Sequence, residues 1–469
     1  MMIERDVAVE LAKNIANVNY SDLPAEALEI VKKDILDTVG ITIAGSTADG
    51  AREVVELGRE FGGREDSTLI AYGDKLPVHM ASFINSVMAH ALDFDDNHDK
   101  GMLHVGSAVV PPAFAMAQRL GRKVNGKELI TAVALGIDLS CRMAVATKLP
   151  IWTSGWMLTS LYGYFGSMAA TAKLLGLNDS QIVDAFGISY AQMAGNLQVI
   201  TDDESALTKR LQVGFSAKGG VMSALLAQKG LTGAQKSLEG RFGLYNLYHQ
   251  GEYNRDALTK DLGKHFGFID LGFKPYPCCR PNHPYIDAAL QLYRDHHLSP
   301  DDIKEIVPIV NRFPHPFCHP LEVKRRPTDI IPAQFSLPYA LAVGLLRGKV
   351  VVNDFTREAL KDEAVFALAE KVTPKLDDSL DIREIPPARI ELILKDGRTI
   401  SSDTVLFAKG NPKNPMTMDD LSEKFRDCAS HSVNPLPKEN IEEVISKLRN
   451  LEDVTDVNEI IQLVVPVGK

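Results

Sequence analysis

The chain has 469 residues, 45% of them hydrophobic and 24% charged, and its formal net charge is −10. This composition is typical of a soluble globular protein with two to three domains. Acidic and basic residues are mixed along the chain, so neither nucleic acid nor an anionic membrane surface is expected as a partner. The five cysteines are scattered, no apolar signal core begins the chain, and no apolar run reaches the ~18 residues of a membrane span. We therefore expect a cytoplasmic protein.

Residues 1–268 are predicted to form a large helical domain, because apolar residues recur there at spacings of three and four. Asp22 can cap the first long helix, which has Pro24 in its first turn and ends at Gly45. The β-branched stretch Ser67–Ile70 is the strand candidate of this region. The predicted long helices are Ala25–Ala44, Ala51–Phe61, Val78–Leu92, Ser107–Leu120, Lys127–Ala146, Ser160–Leu175, Ser180–Gln198 and Ala206–Gln228.

Residues 269–405 are predicted to form a smaller α/β domain, since helix and strand patterns alternate there. It opens with the loop Lys274–Pro284, whose four prolines in eleven residues exclude a helix. Residues 406–469 return to helical spacing and are predicted to pack back on the first domain. The predicted elements are the helices Tyr285–His297, Phe335–Leu346, Asp419–Cys428 and Glu439–Leu451, the strand Ile303–Val310, and a hairpin of Ala388–Leu394 with Thr399–Val405 that turns at Asp396-Gly397.

The stretch from His90 to Ser107 is the richest in reactive groups. An EF-hand does not fit it, because alignment of Gly101 at loop position 6 puts Lys100 at position 5, where an oxygen ligand is needed. No paired-histidine or paired-cysteine zinc pattern is present, and a solvated acidic loop that caps the next helix is the structural alternative to an acid/base site. The 15 residues from 90 to 104 include the carboxylates Asp93, Asp95 and Asp96 and the imidazoles His90, His98 and His104, with Asp99 as a further carboxylate.

Two further stretches could bind a carboxylate. The glycine-led turn Gly155–Ser160 enters an apolar helix, where free N–H groups favour an anion, although an ordinary helix start is the simpler interpretation. Lys209 and Arg210 interrupt another apolar helix, where cations need partners. The partner is either a substrate carboxylate or a structural one from the set Asp202, Asp203 and Glu204.

The proline-rich loop offers Lys274, Arg280 and His283 from one rigid turn. His283 either caps the next helix or moves protons. Cys278 and Cys279 could mark a nucleophile but are interpreted as buried structural thiols, because a thiolate needs an activating base. No nucleotide, metal, pyridoxal or flavin signature accompanies these groups, so no cofactor or metal is expected. The combination suits proton abstraction beside a carboxylate, followed by loss of water, loss of carbon dioxide or reprotonation.

Five motifs, taken in order, resemble the MmgE/PrpD family, which contains 2-methylcitrate dehydratase, cis-aconitate decarboxylase and iminodisuccinate epimerase. The resemblance covers nearly the whole chain. It implies a homodimer in which a large helical domain, built from both ends of the chain, carries a smaller α/β lid domain. A cofactor-free site is expected in the cleft between them. The motifs are His90–Asp96, Thr208–Leu211, Lys274–Arg280 with His283, Ala333–Tyr339 and Lys409–Pro415.

The resemblance also assigns roles to residues. It implies that His104 and His283 donate and accept protons, and that Asp93 and Asp96 orient or polarise an imidazole. The implied catalytic residues are Asp93, His104, Lys209 and His283. The expected substrate-binding residues, which include the cations that clamp carboxylates, are Asp96, Asn97, Met157, Thr159, Gln212, Lys274 and Arg280.

The sequence departs from the family pattern at several of these positions. Met157 stands where the family has an active-site histidine, and a thioether cannot transfer a proton. Either another group, such as His98 or Tyr162, replaces it, or the substrate carries less charge and more apolar surface. The other departures are Gln212 for a histidine, Asn97 for a threonine and Val105 for a proline.

Four functions are therefore open, in this order. The first is a dehydratase of a small hydroxy-carboxylate related to 2-methylcitrate, and the second is an isomerase or epimerase that uses the same enolate chemistry. A decarboxylase resembling cis-aconitate decarboxylase is third. A catalytically inactive binding protein is the alternative of another class, favoured by Met157 and Gln212 and opposed by the remaining histidines and lysines.

Overall fold

The computed structural model describes residues 5–201, 207–296, 298–312, 314–380 and 385–466. Its larger part is a helical body, as predicted. The helices of this part are Ala8–Asn17, Ala25–Gly45, Ala51–Phe61, Val78–His90, Gly106–Arg119, Gly126–Ala146, Ile151–Ser154, Leu158–Leu175, Asp179–Tyr190, Gln198–Thr201, Thr208–Gln228, Leu244–Tyr248 and Arg255–Thr259.

Two predicted elements of the body differ from the structure. The helix predicted to reach Gln198 ends at Tyr190, and Gly195 further along has a φ of 156° and lies close to Ser160, so the helix does not resume there. The predicted strand at Ser67–Ile70 is confirmed only at Ser67–Thr68, where it pairs antiparallel with Lys75–Leu76. The start of the helix predicted from Ala206 lies outside the described residues.

A single hydrophobic core joins both ends of the chain. It runs from Val7 to Phe273 and resumes at Met416 in the carboxyl-terminal segment. The C-terminal helices Met418–Ser430, Lys438–Arg449 and Asn458–Leu463 lie against this body, and Phe425 packs so closely on Gly40 that a Cβ there would lie 3.0 Å from its ring. The helical body is thus completed by the end of the chain, while the exact domain boundaries at 268/269 and 405/406 stay predictions.

A second core supports the smaller domain, which confirms the predicted class of a mainly helical protein with an α/β lid. Its sheet has four strands in the order Lys375–Leu376, Ile303–Val310, Arg389–Leu394 and Thr399–Ser401. The first pair is parallel and the others antiparallel. The hairpin turns at Gly397, as predicted, with a φ of 92°. The helices of this domain are His283–His296, Leu321–Arg325, Ile330–Gln334, Leu337–Arg347 and Glu363–Ala369.

Within the described residues, the helix Gly126–Ala146 is long and apolar enough to cross a membrane by length and composition. Its 18-residue window has a mean hydropathy of 1.7. Asp138 and Arg142 interrupt the apolar run and pair with each other at 2.8 Å. Because 94% of the window is buried inside the fold, it serves here as a core helix.

Candidate active site

The reactive stretch forms a buried loop between the helices Val78–His90 and Gly106–Arg119. Asp96 shapes this loop, because its two carboxylate oxygens accept hydrogen bonds from the N–H groups of Val105 (3.0 Å) and Gly106 (2.9 Å). The carboxylate therefore caps the helix start. Asp96 is also 0% exposed, and no described hydrogen bond joins its carboxylate to an imidazole. The predicted roles of Asp96 towards an imidazole and towards the substrate stay predictions.

Asp93 is the anchor for two lysines that come from distant parts of the chain. Its backbone is left-handed, with a φ of 52°, and its Oδ1 lies 2.6 Å from Lys209 Nζ. Lys274 Nζ lies 3.3 Å from Asp93 Oδ2 and donates to the Asp93 carbonyl at 2.9 Å. Burial by itself raises the pKa of Asp93, but Lys209 and Lys274 outweigh burial and hold the pKa well below its usual range. Asp93 is consequently an ionised carboxylate that positions two ammonium groups.

His90 links Lys209 to a second carboxylate. Its Nε2 lies 3.2 Å from Lys209 Nζ, and its Nδ1 lies 2.7 Å from Asp95 Oδ2. An ammonium group can only donate, so Nε2 is the acceptor and Nδ1–H donates to Asp95. Ser107 donates its hydroxyl to the same Asp95 oxygen at 2.7 Å. Burial lowers the pKa of His90, against the opposing effect of Asp95, which fixes the ring as the neutral middle member of this chain of hydrogen bonds.

The sequence motif contained His90 and Asp95, but no role was predicted for either. Both are buried, with 2% and 0% exposure, and a buried histidine five residues before a buried aspartate is by itself uninformative. What identifies them is Lys209, which lies 119 residues beyond His90 in the sequence. Only the packing of the Thr208–Gln228 helix against the Val78–His90 helix brings the three groups together.

His104 is held differently. Its ring Nδ1 lies 2.5 Å from the main-chain carbonyl of Asp96, and its main-chain N–H donates to Thr159 Oγ1 at 3.1 Å. Because a carbonyl can only accept, Nδ1 carries the hydrogen and Nε2 of the neutral ring carries the lone pair. The side chain is 21% exposed, and its ring centroid lies 5.5 Å from that of His90. Burial lowers the pKa of His104 to about 4, so the ring is a neutral base at pH 7.

His283, which is predicted to move protons, lies within the proline-rich loop. It is fully buried, its Nε2 lies 3.1 Å from the Cys278 carbonyl, and its Nδ1 lies 3.4 Å from Arg280 Nη1. Both ring nitrogens are therefore occupied by neighbours from its own loop. A proton-transfer role for His283 stays a prediction, and the geometry here is that of a residue that shapes the loop.

Cys279 is closer to the charged groups than the sequence suggested. Among the five cysteines it is the one that is not fully buried. Its pKa is raised to about 12, mainly by burial and also by the Asp93 carboxylate, while Lys274 and Lys209 act in the opposite direction. The thiol therefore lies within electrostatic reach of all three groups. It is a candidate site residue that was interpreted from sequence as structural.

The remaining predicted binding residues have mixed positions. Thr159 supports His104, as described above. Met157 is partly buried and precedes the Leu158–Leu175 helix as its N-cap. Gln212 accepts from the N–H of Asn196 at 3.0 Å and donates to its carbonyl at 3.1 Å, so its amide is bound to a neighbouring loop. Asn97 pairs through its backbone with Gly272 at 2.9 Å and 2.8 Å, which joins the reactive loop to the start of the second domain.

His98 and Tyr162 are the two proposed substitutes for the missing histidine, and their ring nitrogens and hydroxyl are already hydrogen-bonded to other residues. His98 Nδ1 accepts from the N–H of Gly101 and its Nε2 lies 3.0 Å from the Gly267 carbonyl. The Tyr162 hydroxyl is bonded to Thr147 and lies 2.9 Å from His249 Nε2. Asp202, Asp203 and Glu204, the structural partners considered for Lys209, lie outside the described residues.

A second group of buried charged side chains packs against the loop between His90 and Ser107. Asp37 and Lys424 form an ion pair at 2.7 Å, and Lys424 also donates to the carbonyls of Phe94 and Lys274 at 2.7 Å and 2.9 Å. Asp34 lies so close to the first turn of the Gly106–Arg119 helix that a Cβ on Gly106 would come within 2.5 Å of it. Burial raises the pKa of Asp34 well above its usual range. These side chains hold the loop in place.

The described side chains thus combine a neutral imidazole base with two ammonium groups around one carboxylate. Within the ranges that the structure describes, no group of three or more His, Cys, Asp or Glu side chains is placed to hold a metal ion. Such an arrangement is a candidate acid/base site in a mainly helical two-domain protein.

Comparison with known proteins identifies the family. The profile described as the MmgE/PrpD N-terminal domain matches residues 9–256, and that of the MmgE/PrpD C-terminal domain matches residues 276–450. The chain belongs to the MmgE/PrpD family, as its motifs predicted.

Three curated relatives indicate the range of the family. The chain is 27% identical to the cis-aconitate decarboxylase-like protein oryM of Aspergillus oryzae over 98% of both chains. It is 28% identical to cis-aconitate decarboxylase of Homo sapiens over 97% of this chain and 94% of the relative. The match to 2-methylcitrate dehydratase of Salmonella typhimurium is 24% identical and covers 44% of this chain and 42% of the relative. All three names denote lyases or lyase-like proteins.

Proposed function

We propose that this protein is a lyase that acts on a small di- or tricarboxylic acid through a carbanion beside a carboxylate. Dehydration of a hydroxy acid is the reaction that the geometry supports best. The observation that carries this proposal is the pairing of a neutral base, His104 Nε2, with a hydrogen-bonded ammonium donor, Lys209, around the same loop. An elimination needs such a base and such an acid together.

In the proposed reaction, His104 Nε2 takes a proton from the carbon next to the substrate carboxylate. The electron pair of that C–H bond forms the new C=C bond, and the C–O bond to the hydroxyl group breaks. Lys209 supplies a proton to the leaving oxygen, so water departs. The cycle closes when His104 releases the abstracted proton to solvent and Lys209 takes one proton from solvent, after which Lys209 Nζ again donates to His90 Nε2.

Lys274 has a separate role in this proposal. Asp93 and Asp95 raise its pKa above the usual value although burial opposes them, so it remains an ammonium group at neutral pH. A fixed positive charge beside Asp93 would stabilise the enolate that forms when the carbon loses its proton. Lys274 belongs to the proline-rich loop and already contacts Asp93 in this structure, so the charge is in place before a substrate binds.

Decarboxylation of an unsaturated acid is the second candidate. It is favoured by the full-length similarity to cis-aconitate decarboxylases, in contrast with the partial match to a dehydratase. In that reaction the C–C bond to the departing carbon dioxide breaks, and Lys209 gives its proton to the resulting carbanion. The two candidates share the lysines and differ in their need for a base, because only the dehydration requires His104 to abstract a proton.

The test follows incorporation of solvent deuterium by NMR. Purified protein is incubated in D₂O with 2-methylcitrate, citrate, cis-aconitate and substituted succinates. Wild type is compared with His104→Gln and with the matched control His265→Gln, which alters an exposed histidine. Exchange beside a carboxylate with loss of water, abolished in His104→Gln and kept in the control, supports the dehydratase.

The other outcomes separate the alternatives. Formation of carbon dioxide that survives in His104→Gln indicates a decarboxylase, and exchange without loss of either fragment indicates an epimerase. If no acid is exchanged or converted by wild type, the lyase proposal is wrong and an inactive binding protein is favoured.

We further infer a cytoplasmic homodimer, on the strength of the family resemblance. The assembly is testable by sedimentation equilibrium, where a homodimer has twice the chain mass of 51.4 kDa. A monomer at micromolar concentration contradicts this inference.

A further inference from the structure

A cavity of about 390 Å³ lies where the reactive loop, the proline-rich loop and the segment after the hairpin meet. It opens to solvent on one side. Among its described lining residues are none of the four groups that define the acid/base site, namely Asp93, His104, Lys209 and Lys274. The lining residues used below are Asp99, Lys100, Arg280, Leu406, Phe407 and Lys413.

Arg280 is the central feature of this cavity. Its side chain is only 7% exposed, yet its contacts are long: Nε lies 3.4 Å from Asp99 Oδ1, and Nη1 lies 3.4 Å from His283 Nδ1 and 3.5 Å from the Lys409 carbonyl. Its Nη2 is buried and has no hydrogen-bond partner among the residues that the structure describes. A buried guanidinium normally satisfies its donors with a carboxylate or phosphate. Arg280 therefore lines the cavity and retains one buried donor, Nη2, without a described partner.

Asp99 offsets part of the Arg280 charge but is itself already bound. Asn97 donates its side-chain amide to Asp99 Oδ1, and Asn411 donates to Oδ2 at 3.0 Å. Asp99 therefore accepts hydrogen bonds from two amides in addition to its long contact with the guanidinium. A ligand anion in the cavity would add a charge-assisted hydrogen bond to Arg280 once its guanidinium turns a donor towards the cavity.

The rest of the wall is partly cationic and partly apolar. Lys100 pairs with Asp270 at 2.5 Å at the rim. Lys413 Nζ lies 4.6 Å above the Phe407 ring, and Leu406 is 55% exposed. A positive end next to an apolar surface suits a ligand with one anionic group and a hydrophobic body.

We propose that this cavity is a second binding site, which takes an organic anion whose single carboxylate or phosphate group pairs with Arg280 and whose apolar body covers Leu406 and Phe407. The site would be separate from the acid/base site. It connects to that site through its own loop, because Arg280, His283 and Lys274 belong to one proline-rich turn. Occupancy of the cavity would thus fix the loop that presents Lys274 to Asp93.

Isothermal titration calorimetry with hexanoate, phenyl phosphate and inorganic phosphate tests the site. For wild type we expect binding of hexanoate or phenyl phosphate, and weaker binding of inorganic phosphate, which cannot use the apolar wall. The first two probes distinguish a carboxylate ligand from a phosphate ligand. Arg280→Gln is expected to weaken binding by at least about 10-fold, as loss of a buried charge-assisted hydrogen bond requires.

Two further variants keep the test independent of folding and of the acid/base site. Leu406→Asp alters an exposed side chain and is expected to weaken hexanoate but to leave inorganic phosphate unchanged. Lys209→Gln removes a cation of the acid/base site and is expected to leave probe binding unchanged. The proposal is overturned if wild type binds no organic anion, if Arg280→Gln and Leu406→Asp both bind hexanoate as wild type does, or if Lys209→Gln abolishes binding.

Discussion

The imidazole rings of His90 and His104 lie with their centroids 5.5 Å apart and their planes inclined by 53°. Each ring is fixed from a different side, His90 by the Asp95 carboxylate and His104 by the Asp96 carbonyl. The two neighbouring neutral histidines therefore have different roles. The lone pair of His90 is used by Lys209, whereas no described hydrogen bond occupies the lone pair of His104.

The first prediction concerns His90, which joins Lys209 to Asp95. Changing His90 to Gln removes the ring that joins Lys209 to Asp95 and is expected to lower kcat by about 10- to 100-fold, the usual effect of losing a residue that orients a reactive group. KM should change less, because the lysines still bind the substrate. Steady-state kinetics measure both values. An equal effect in the exposed-site control His265→Gln would contradict the assignment.

The second prediction concerns the two lysines on Asp93. Lys274→Met leaves a buried carboxylate with one cation fewer, and the free energy of unfolding is expected to fall by about 3–5 kcal/mol. Adding Asp93→Asn removes the excess charge, so the double variant should recover part of that loss. Urea denaturation of the single and double variants measures this coupling. Additive effects of the two changes would show that the pair is not coupled.

The third prediction concerns pH. The pKa of His104 is lowered to about 4 in the folded protein from a reference of 6.5, because burial disfavours the charged ring. Between these values the unfolded chain binds a proton that the folded chain does not, so stability falls as the pH falls from 6.5 towards 4. The total is about 3 kcal/mol, at 1.36 kcal/mol for each pKa unit.

Urea denaturation at pH 7.5 and at pH 4.5 checks the sign of this effect. His104→Gln should lose less stability than wild type on acidification, because it lacks the titrating ring. His249, whose pKa burial also lowers to about 4, remains in both proteins and cancels in the comparison. Equal losses in wild type and variant would contradict the prediction.

Features that depend on residues close together in the sequence were predictable. The helices of the body were predictable because apolar spacing within each segment reports which face is buried, and His104, Asp93, Lys209 and Lys274 were identified through short motifs. The direction of each hydrogen bond was not predictable. Whether Asp95 or Asp96 meets an imidazole depends on which carboxylate turns towards the helix start at Gly106, and that is decided by packing around the loop.

Long-range contacts explain the other differences. The role of His90 depends on Lys209, and the surroundings of Cys279 depend on how the proline-rich loop folds over Asp93. Gln334 gives a third example, since its side-chain amide joins the carbonyls of Leu92 and Pro277 at 2.6 Å and 3.2 Å. No periodic pattern reports such contacts between segments that are far apart in the chain.

The fourth prediction concerns Cys279. Since the other four cysteines are buried, Cys279 is expected to be the first to react with N-ethylmaleimide. Its pKa of about 12 makes the reaction slow at pH 7 and about tenfold faster for each pH unit up to 9. Intact-mass spectrometry with peptide mapping follows the label. Cys279→Ser should remain unlabelled over the same period, and citrate should slow labelling of wild type if the thiol faces the substrate.

The fifth prediction concerns the departure at Met157. Its thioether offers no charge, and it lies two residues before Thr159, which supports His104. Met157→His restores a donor at this position and is expected to raise kcat/KM for tricarboxylates relative to dicarboxylates by about 10-fold, the value of one added hydrogen bond to a charged group. Trp152→His is the matched control, because that side chain is 59% exposed on the short helix just before the turn. If both variants keep the wild-type ratio of the two substrates, Met157 does not set the preference for substrate charge.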